Sequence, residues 1–126
     1  MTILGLDYGR KKIGLALGDE ATHLAEPLEV FRYTEMAELL TKLDRFIKFH
    51  VVSKIVIGIS DGEIAEEAKH LGKELAKKVE VVFFDETLST HESQIRAIES
   101  GIKRKKRKQM EDAYAAAIIL QNYFDS

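Results

Sequence analysis

Two apolar runs, Ile3–Leu6 and Ile13–Leu17, stand either side of a short basic link, Arg10-Lys11-Lys12, and Asp7 closes the first run. Runs of this length joined by so short a link pair as a β-hairpin. Asp7 is expected at the hairpin's open end. An ionised carboxylate attached to a buried strand is costly unless it is hydrogen-bonded, paired with a cation or bound to a metal. Gly5, Gly9, Gly14 and Gly18 punctuate the same stretch. Lacking a Cβ, they permit a tight turn or the close approach of another group.

The remaining chain reads as an alternation of strands and helices. Leu24–Tyr33 is expected as a third strand, at a sheet edge because Pro27 has no N–H to give to a ladder. Thr34 is expected to cap a helix over 35–49, whose apolar stripe is Met36, Leu39, Leu40, Leu43, Phe46 and Ile47. Ile55–Ile59 and Val81–Phe84 have the continuous apolar character of strands buried in a parallel sheet. Between them, Ser60-Asp61-Gly62-Glu63 has capping-box spacing and opens a helix running to Lys78. Ser89-Thr90-His91-Glu92 repeats that spacing ahead of a helix that Gly101 stops. A last helix over 109–124 carries Ala113, Ala116, Ala117, Leu120 and Phe124 on one face. The order β-β-β-α-β-α-β-α-α implies an α/β fold. Three antiparallel strands are followed by two parallel ones in a five-stranded mixed sheet flanked by helices.

With 126 residues, 45% hydrophobic and 32% charged, the chain suits a single soluble domain spanning 1–126. It has no apolar run long enough for a membrane span and no basic, apolar leader, so no membrane partner and a cytosolic location are expected. The absence of Cys excludes disulfides and thiolate metal sites, and His23, His50, His70 and His91 lack zinc-site spacing. Net charge is −2, yet bases are concentrated in Arg10-Lys11-Lys12 and in the unbroken run Lys103, Arg104, Lys105, Lys106, Arg107, Lys108. Both clusters are candidate nucleic-acid contacts, against the plainer reading of a hairpin turn and a solvated charged loop.

In an open α/β sheet, ligands bind beyond the carboxyl ends of the parallel strands. Asp7, Asp61, Asp85 and Glu86 all fall at such ends, and Asp112 near the start of the last helix can lean over the same edge. Clustered carboxylates raise one another's pKa and call for a counter-ion. With oxygen donors only, that ion is Mg²⁺ or Mn²⁺. Two such ions about 4 Å apart activate water and stabilise the leaving oxygen of a phosphodiester.

Four stretches, in order, carry a resemblance. Gly5-Leu-Asp7-Tyr-Gly9-Arg-Lys-Lys-Ile-Gly14-Leu-Ala16 resembles the opening motif of the YqgF/RuvX family, and Ile55-Val-Ile-Gly58 its fourth strand. Asp85-Glu86-Thr87-Leu-Ser-Thr90 resembles its Asp-Glu-Arg-Leu-(Ser/Thr)-Thr motif, and Asp112-Ala-Tyr-Ala-Ala-Ala-Ile-Ile-Leu its closing helix. The resemblance runs from end to end. It implies an RNase H-like fold related to RuvC-type Holliday junction resolvases, with Asp7, Glu86 and Asp112 as the catalytic, metal-binding acids. It further implies a nuclease that matures the 5′ end of pre-16S rRNA in ribosome biogenesis, with resolution of branched DNA junctions as the alternative. Thr87 stands where the family usually has Arg, removing a bidentate phosphate donor, and Ile59-Ser60-Asp61-Gly62 lacks the family's Leu-Pro loop. These departures keep open a non-catalytic nucleic-acid-binding or ribosome-assembly module. Asp7-x-Gly9 also resembles the phosphate loop of actin-like kinases, but those need two lobes to enclose ATP. A symmetric four-way junction would favour a homodimer.

Overall fold

The computed structural model describes residues 1–60, 62–85 and 110–126. Strand β1 (Thr2–Asp7) turns back through residues 8–11 into β2 (Lys12–Asp19), which pairs in turn with β3 (Leu24–Arg32). Helix α1 (Met36–His50) leads to β4 (Val52–Ile59), and α2 (Glu63–Leu75) to β5 (Glu80–Asp85). Helix α3 (Glu111–Asp125) closes the chain. The sheet order is β3-β2-β1-β4-β5, antiparallel between β1, β2 and β3 and parallel between β1, β4 and β5. The α/β class, the five-stranded mixed sheet and its order of antiparallel then parallel strands are those expected. The expected helix ahead of Gly101, its capping box from Ser89, and the basic run 103–108 lie outside the described residues.

Alternation along the strands sorts side chains to two faces. Leu4 and Leu6 of β1, Ile13 and Leu15 of β2 and Ile55 and Ile57 of β4 pack with Leu39 and Leu43 of α1 and Leu71 and Leu75 of α2. Ile3 and Val56 face the other way, onto Ile119 and Leu120 of α3. Ala16 meets Ala116 and Ala117 on that same side. Both faces of β1 and β4 are therefore covered, which is why their sequences are nearly continuous apolar runs. Pro27 is on the edge strand as expected. The register slips between Leu15 and Ala16, which pair with Glu29 and Pro27, so Leu28 is passed over in the bulge.

Three local expectations are corrected. Asp7 and Gly14 form the last pair before the turn, so the acid stands at the closed end of the hairpin. The carboxyl end of β1 is by construction the end from which a hairpin turns. Thr34 does not cap α1: Glu35 occupies the cap position without a side-chain bond, and the Thr34 hydroxyl lies 3.5 Å from Glu38 Oε2. The capping box at Ser60 does not form either, because α2 begins only at Glu63, with Gly62 as its cap at φ 99°. A capping glutamate belongs in the third helical position, and Glu63 is in the first.

Helix α1 ends on Val51, whose φ of 52° and ψ of 52° are left-handed and which is 78% exposed. A β-branched residue is strained there, and glycine is the usual occupant. Replacing Val51 by Gly removes little packing, and the relief of about 1–2 kcal/mol exceeds glycine's entropy cost of about 0.5–1 kcal/mol. Val51→Gly is expected to raise the urea midpoint, corresponding to a gain of about 1 kcal/mol; a lowered midpoint would contradict strain at this cap.

Candidate active site

Asp7 is the last residue of β1 and follows Ile3 and Gly5 in the alternation, so it belongs to the face covered by α3. Its neighbours across the sheet are both glycines, Gly14 on β2 and Gly58 on β4. The space above Gly14 is taken by α3: a Cβ built there would fall 1.8 Å from the carbonyl oxygen of Asp112. Residues paired across antiparallel strands sit about 5 Å apart. The start of α3 is thus seated on the residue directly beside Asp7. Two acids from opposite ends of the chain are brought to one corner of the sheet. The same close approach recurs below, where Cβ atoms at Gly5 and Gly18 would fall within 2.9 Å and 2.6 Å of Ala116 or Leu120 and of Phe124.

Asp112 is 29% exposed at its side chain and already holds a cation, with Lys12 Nζ 3.0 Å from its Oδ2. Lys12 precedes Gly14 by two residues and so shares its face. Of the other bases in this link, Arg10 turns towards α2, where its guanidinium lies 2.8 Å from Glu67 Oε2 and 3.5 Å from Glu63 Oε2. The hydrogen bond and charge of Glu67 hold the Arg10 pKa above its ordinary value. Lys11 is exposed. Exposed ion pairs of this kind contribute little to stability and exchange readily for another anion.

The turn after Asp7 is tied from below by tyrosines. The Tyr33 hydroxyl donates to the carbonyl of Gly9, the Tyr33 N–H donates to the carbonyl of Lys11 at 3.0 Å, and the Tyr8 hydroxyl lies 3.3 Å from Glu67 Oε1. Burial, and then the neighbouring Tyr8, push the Tyr33 phenol above its ordinary pKa, so it remains a hydrogen-bond donor. No local motif signals this support, because it depends on β3 delivering Tyr33 beside the turn.

Strand β5 distinguishes its two adjacent acids. Val82 and Phe84 pack on the α3 side, while Phe83 lies against Gly72 of α2. Asp85, next in the alternation, therefore falls on the α1/α2 face, opposite Asp7. Glu86 and Asp61 lie outside the described residues, as do Lys103–Lys108. Among the described residues, no three His, Asp or Glu side chains are grouped to hold a metal ion. Asp7 and the start of α3 that bears Asp112 share this corner, both acids are hard oxygen ligands, and Asp112 already pairs with a cation. Both properties fit Mg²⁺ or Mn²⁺.

A mixed sheet of this order, with an acid ending its first strand and another opening the helix that covers it, defines an RNase H-like fold. The same fold occurs in Thermus thermophilus RuvC solved with a Holliday junction substrate (TM-score 0.63, 17% identity, 98% of this chain and 93% of that one). It also occurs in the fowlpox virus Holliday junction resolvase (TM-score 0.65, 11% identity, 99% and 98% of the two chains). The chain belongs to the family described as RuvX, Holliday junction resolvase, whose model matches residues 1–126. Among its relatives, a protein of Carboxydothermus hydrogenoformans is 39% identical over 133 residues, covering 99% of this chain and 96% of its own. One of Agathobacter rectalis is 35% identical over 136 residues, covering 99% and 95%. Both are named "putative pre-16S rRNA nuclease".

Because backbone, not a flexible side chain, fills the space above Gly14, a methyl group there must displace α3. Gly14→Ala is expected to destabilise the fold by about 1–3 kcal/mol or more and to break the Lys12–Asp112 pair. A denaturation curve and a crystal structure of the variant check this; unchanged stability with Asp112 in place would refute the close contact.

Proposed function

We propose that this chain is a divalent-metal-dependent endonuclease that processes the 5′ end of pre-16S rRNA in the cytoplasm. The observation that carries the reading is the seating of Asp112 on Gly14, the strand partner of Asp7. In this reading Asp7 and Asp112, joined by Glu86 after β5, hold one or two Mg²⁺ or Mn²⁺ ions. Bound there, a divalent ion supplies activation of water and charge neutralisation at the leaving oxygen of a phosphodiester. The chain's own groups do the rest. Lys12 neutralises Asp112, and its ammonium stands at the edge where a phosphate would lie. Arg10 and Lys11 extend that positive edge around the hairpin turn. Lys103, Arg104, Lys105, Lys106, Arg107 and Lys108 supply further phosphate contacts.

The relatives' names support the rRNA substrate, and the family description supports a four-way DNA junction as the second reading. Thr87 in place of a basic residue leaves more of the phosphate grip to the bases named above. A pre-rRNA leader and a four-way junction, each incubated with Mg²⁺ or Mn²⁺ and with EDTA, separate the readings. Cleavage of the leader is expected with metal and none with EDTA. Losing even an outer partner of a metal ligand costs about 10–100-fold, so Asp7→Asn is expected to lower cleavage by at least that much while binding persists. If about six phosphates are neutralised, duplex affinity should fall with salt at a log–log slope of about −5. Undiminished cleavage by Asp7→Asn, or an affinity indifferent to salt, would overturn the proposal.

A further inference from the structure

On the flank away from α3, the last turns of α1 and the edge strand β3 enclose an open groove of about 780 Å³. Its walls include Arg32, Lys42, Arg45, Phe46, Phe49 and His50. We propose that this groove binds an unpaired stretch of the nucleic-acid substrate, with Phe49 stacking on a base and Arg32 and Arg45 holding its phosphates. The proposal deepens the nuclease reading and rests on it for the identity of the strand.

Three observations converge. First, Phe49 is 82% exposed, although a ring of its size gains much from burial. It is not a loose side chain on a smooth surface. It ends a row of rings: Phe31 meets Phe46 edge-on at 5.7 Å, Phe46 meets His50 at 4.3 Å, and His50 meets Phe49 edge-on at 4.9 Å. Phe46 is buried, so the row is anchored in the core and presents its last ring to solvent.

Second, the charge around that ring is positive in a chain whose net charge is −2. Glu29 is the one acid among the lining residues. Lys42 is already engaged, donating to the Arg32 carbonyl at 2.7 Å and lying 3.6 Å from Glu38. Arg32 and Arg45 are exposed and, unlike Arg10, neither is paired with a carboxylate among the described residues. An apolar partner protein would gain nothing from two unpaired guanidinium groups beside its contact, whereas a phosphate chain gains a charge-assisted bond from each.

Third, one lining residue stands next to the acid corner. Arg32 is the sheet partner of Lys12, whose ammonium rests on Asp112. A strand with one phosphate at Asp7 and Asp112 would pass Lys12 and Arg32 and round the β3 edge to reach Phe49. A base reaches an aromatic ring only after leaving its own stack, so a fully paired duplex offers this groove nothing but its backbone. The substrate class selected is therefore one with a single-stranded segment beside the cleaved bond, such as an rRNA leader, rather than a junction with every base paired.

The test is fluorescence anisotropy with the full chain in EDTA, using a labelled 12-nucleotide oligouridine and a 12-base-pair duplex. Stacking on one aromatic ring contributes about 5–150-fold to affinity, and Phe49→Ala is expected to lose that for oligouridine and nothing for the duplex. Phe49→Trp should retain it. Removing Arg32 and Arg45 together should flatten the oligouridine salt slope by about 1.4, at about 0.7 per phosphate contact. Oligouridine affinity unchanged in Phe49→Ala, or equal losses for both probes, would overturn the proposal. So would a Phe49→Ala change confined to sedimentation, which would make the groove a surface for a second copy of the chain. Because binding is read without metal, a chain that cleaves nothing but shows these losses would sink the nuclease reading alone. Cleavage with oligouridine binding indifferent to Phe49 would sink the groove alone.

Discussion

The carbonyl of Asp112 occupies the space that a side chain at Gly14 would fill, and the placement of the acids depends on that contact. Helix α3 lies low on the sheet because β1 and β2 present Gly5, Gly14, Ala16 and Gly18 to it, and it answers with Ala113, Ala116 and Ala117. Small residues on both sides bring backbone against backbone, and Ile119 and Leu120 then fix the helix lengthwise against Ile3 and Val56. Burying such aliphatic side chains contributes about 1.5–3 kcal/mol each. The helix thus has little freedom to lift or slide. Its first turn carries Asp112, so the packing that stabilises the fold also determines where the acid stands.

The opposite face is built on another principle. There Leu4, Leu6, Leu15, Ile55 and Ile57 meet the large aliphatic stripes of α1 and α2, and the layers are held apart by full-sized side chains. That thicker layer supports the turn following Asp7 through Tyr33 on Gly9 and through Arg10 on Glu67. Asp7 is consequently held from both sides of the sheet. Its strand ends where α3 closes down, and the turn that follows is bound to the layer beneath. Rigid elements position a binding constellation better than loops do.

Much of this was legible in the chain. The hairpin, the edge position of Pro27, the buried strands and the alanine face of the last helix follow from periodicity and backbone chemistry, and the glycines of residues 5–18 already pointed to a close approach. What was not legible depends on juxtaposition. Cap chemistry at Thr34 and Ser60 fails because the helices start one and two residues later than the local signal implies. The expectation of Asp7 at the hairpin's open end fails, although chain direction alone determines its place at the closed end. Asp85 and Glu86 are indistinguishable by composition, and only the packing of Phe83 and Phe84 on opposite faces assigns Asp85 to the side away from Asp7. The cluster Arg10-Lys11-Lys12 was visible as charge, but its division between Glu67 on one face and Asp112 on the other follows from strand alternation. The ring row ending at Phe49 has no signature in helical periodicity, since its partner Phe31 comes from β3.

The proposal that Asp7 and Asp112 share one divalent ion is tested most directly by counting bound Mn²⁺ with electron paramagnetic resonance, in the full chain and in Asp7→Asn and Asp112→Asn. The parent chain should bind Mn²⁺, and each variant should bind it at least about tenfold more weakly, with its fold intact by circular dichroism. Mn²⁺ held by both variants at the parent affinity would contradict a shared site at this corner of the sheet.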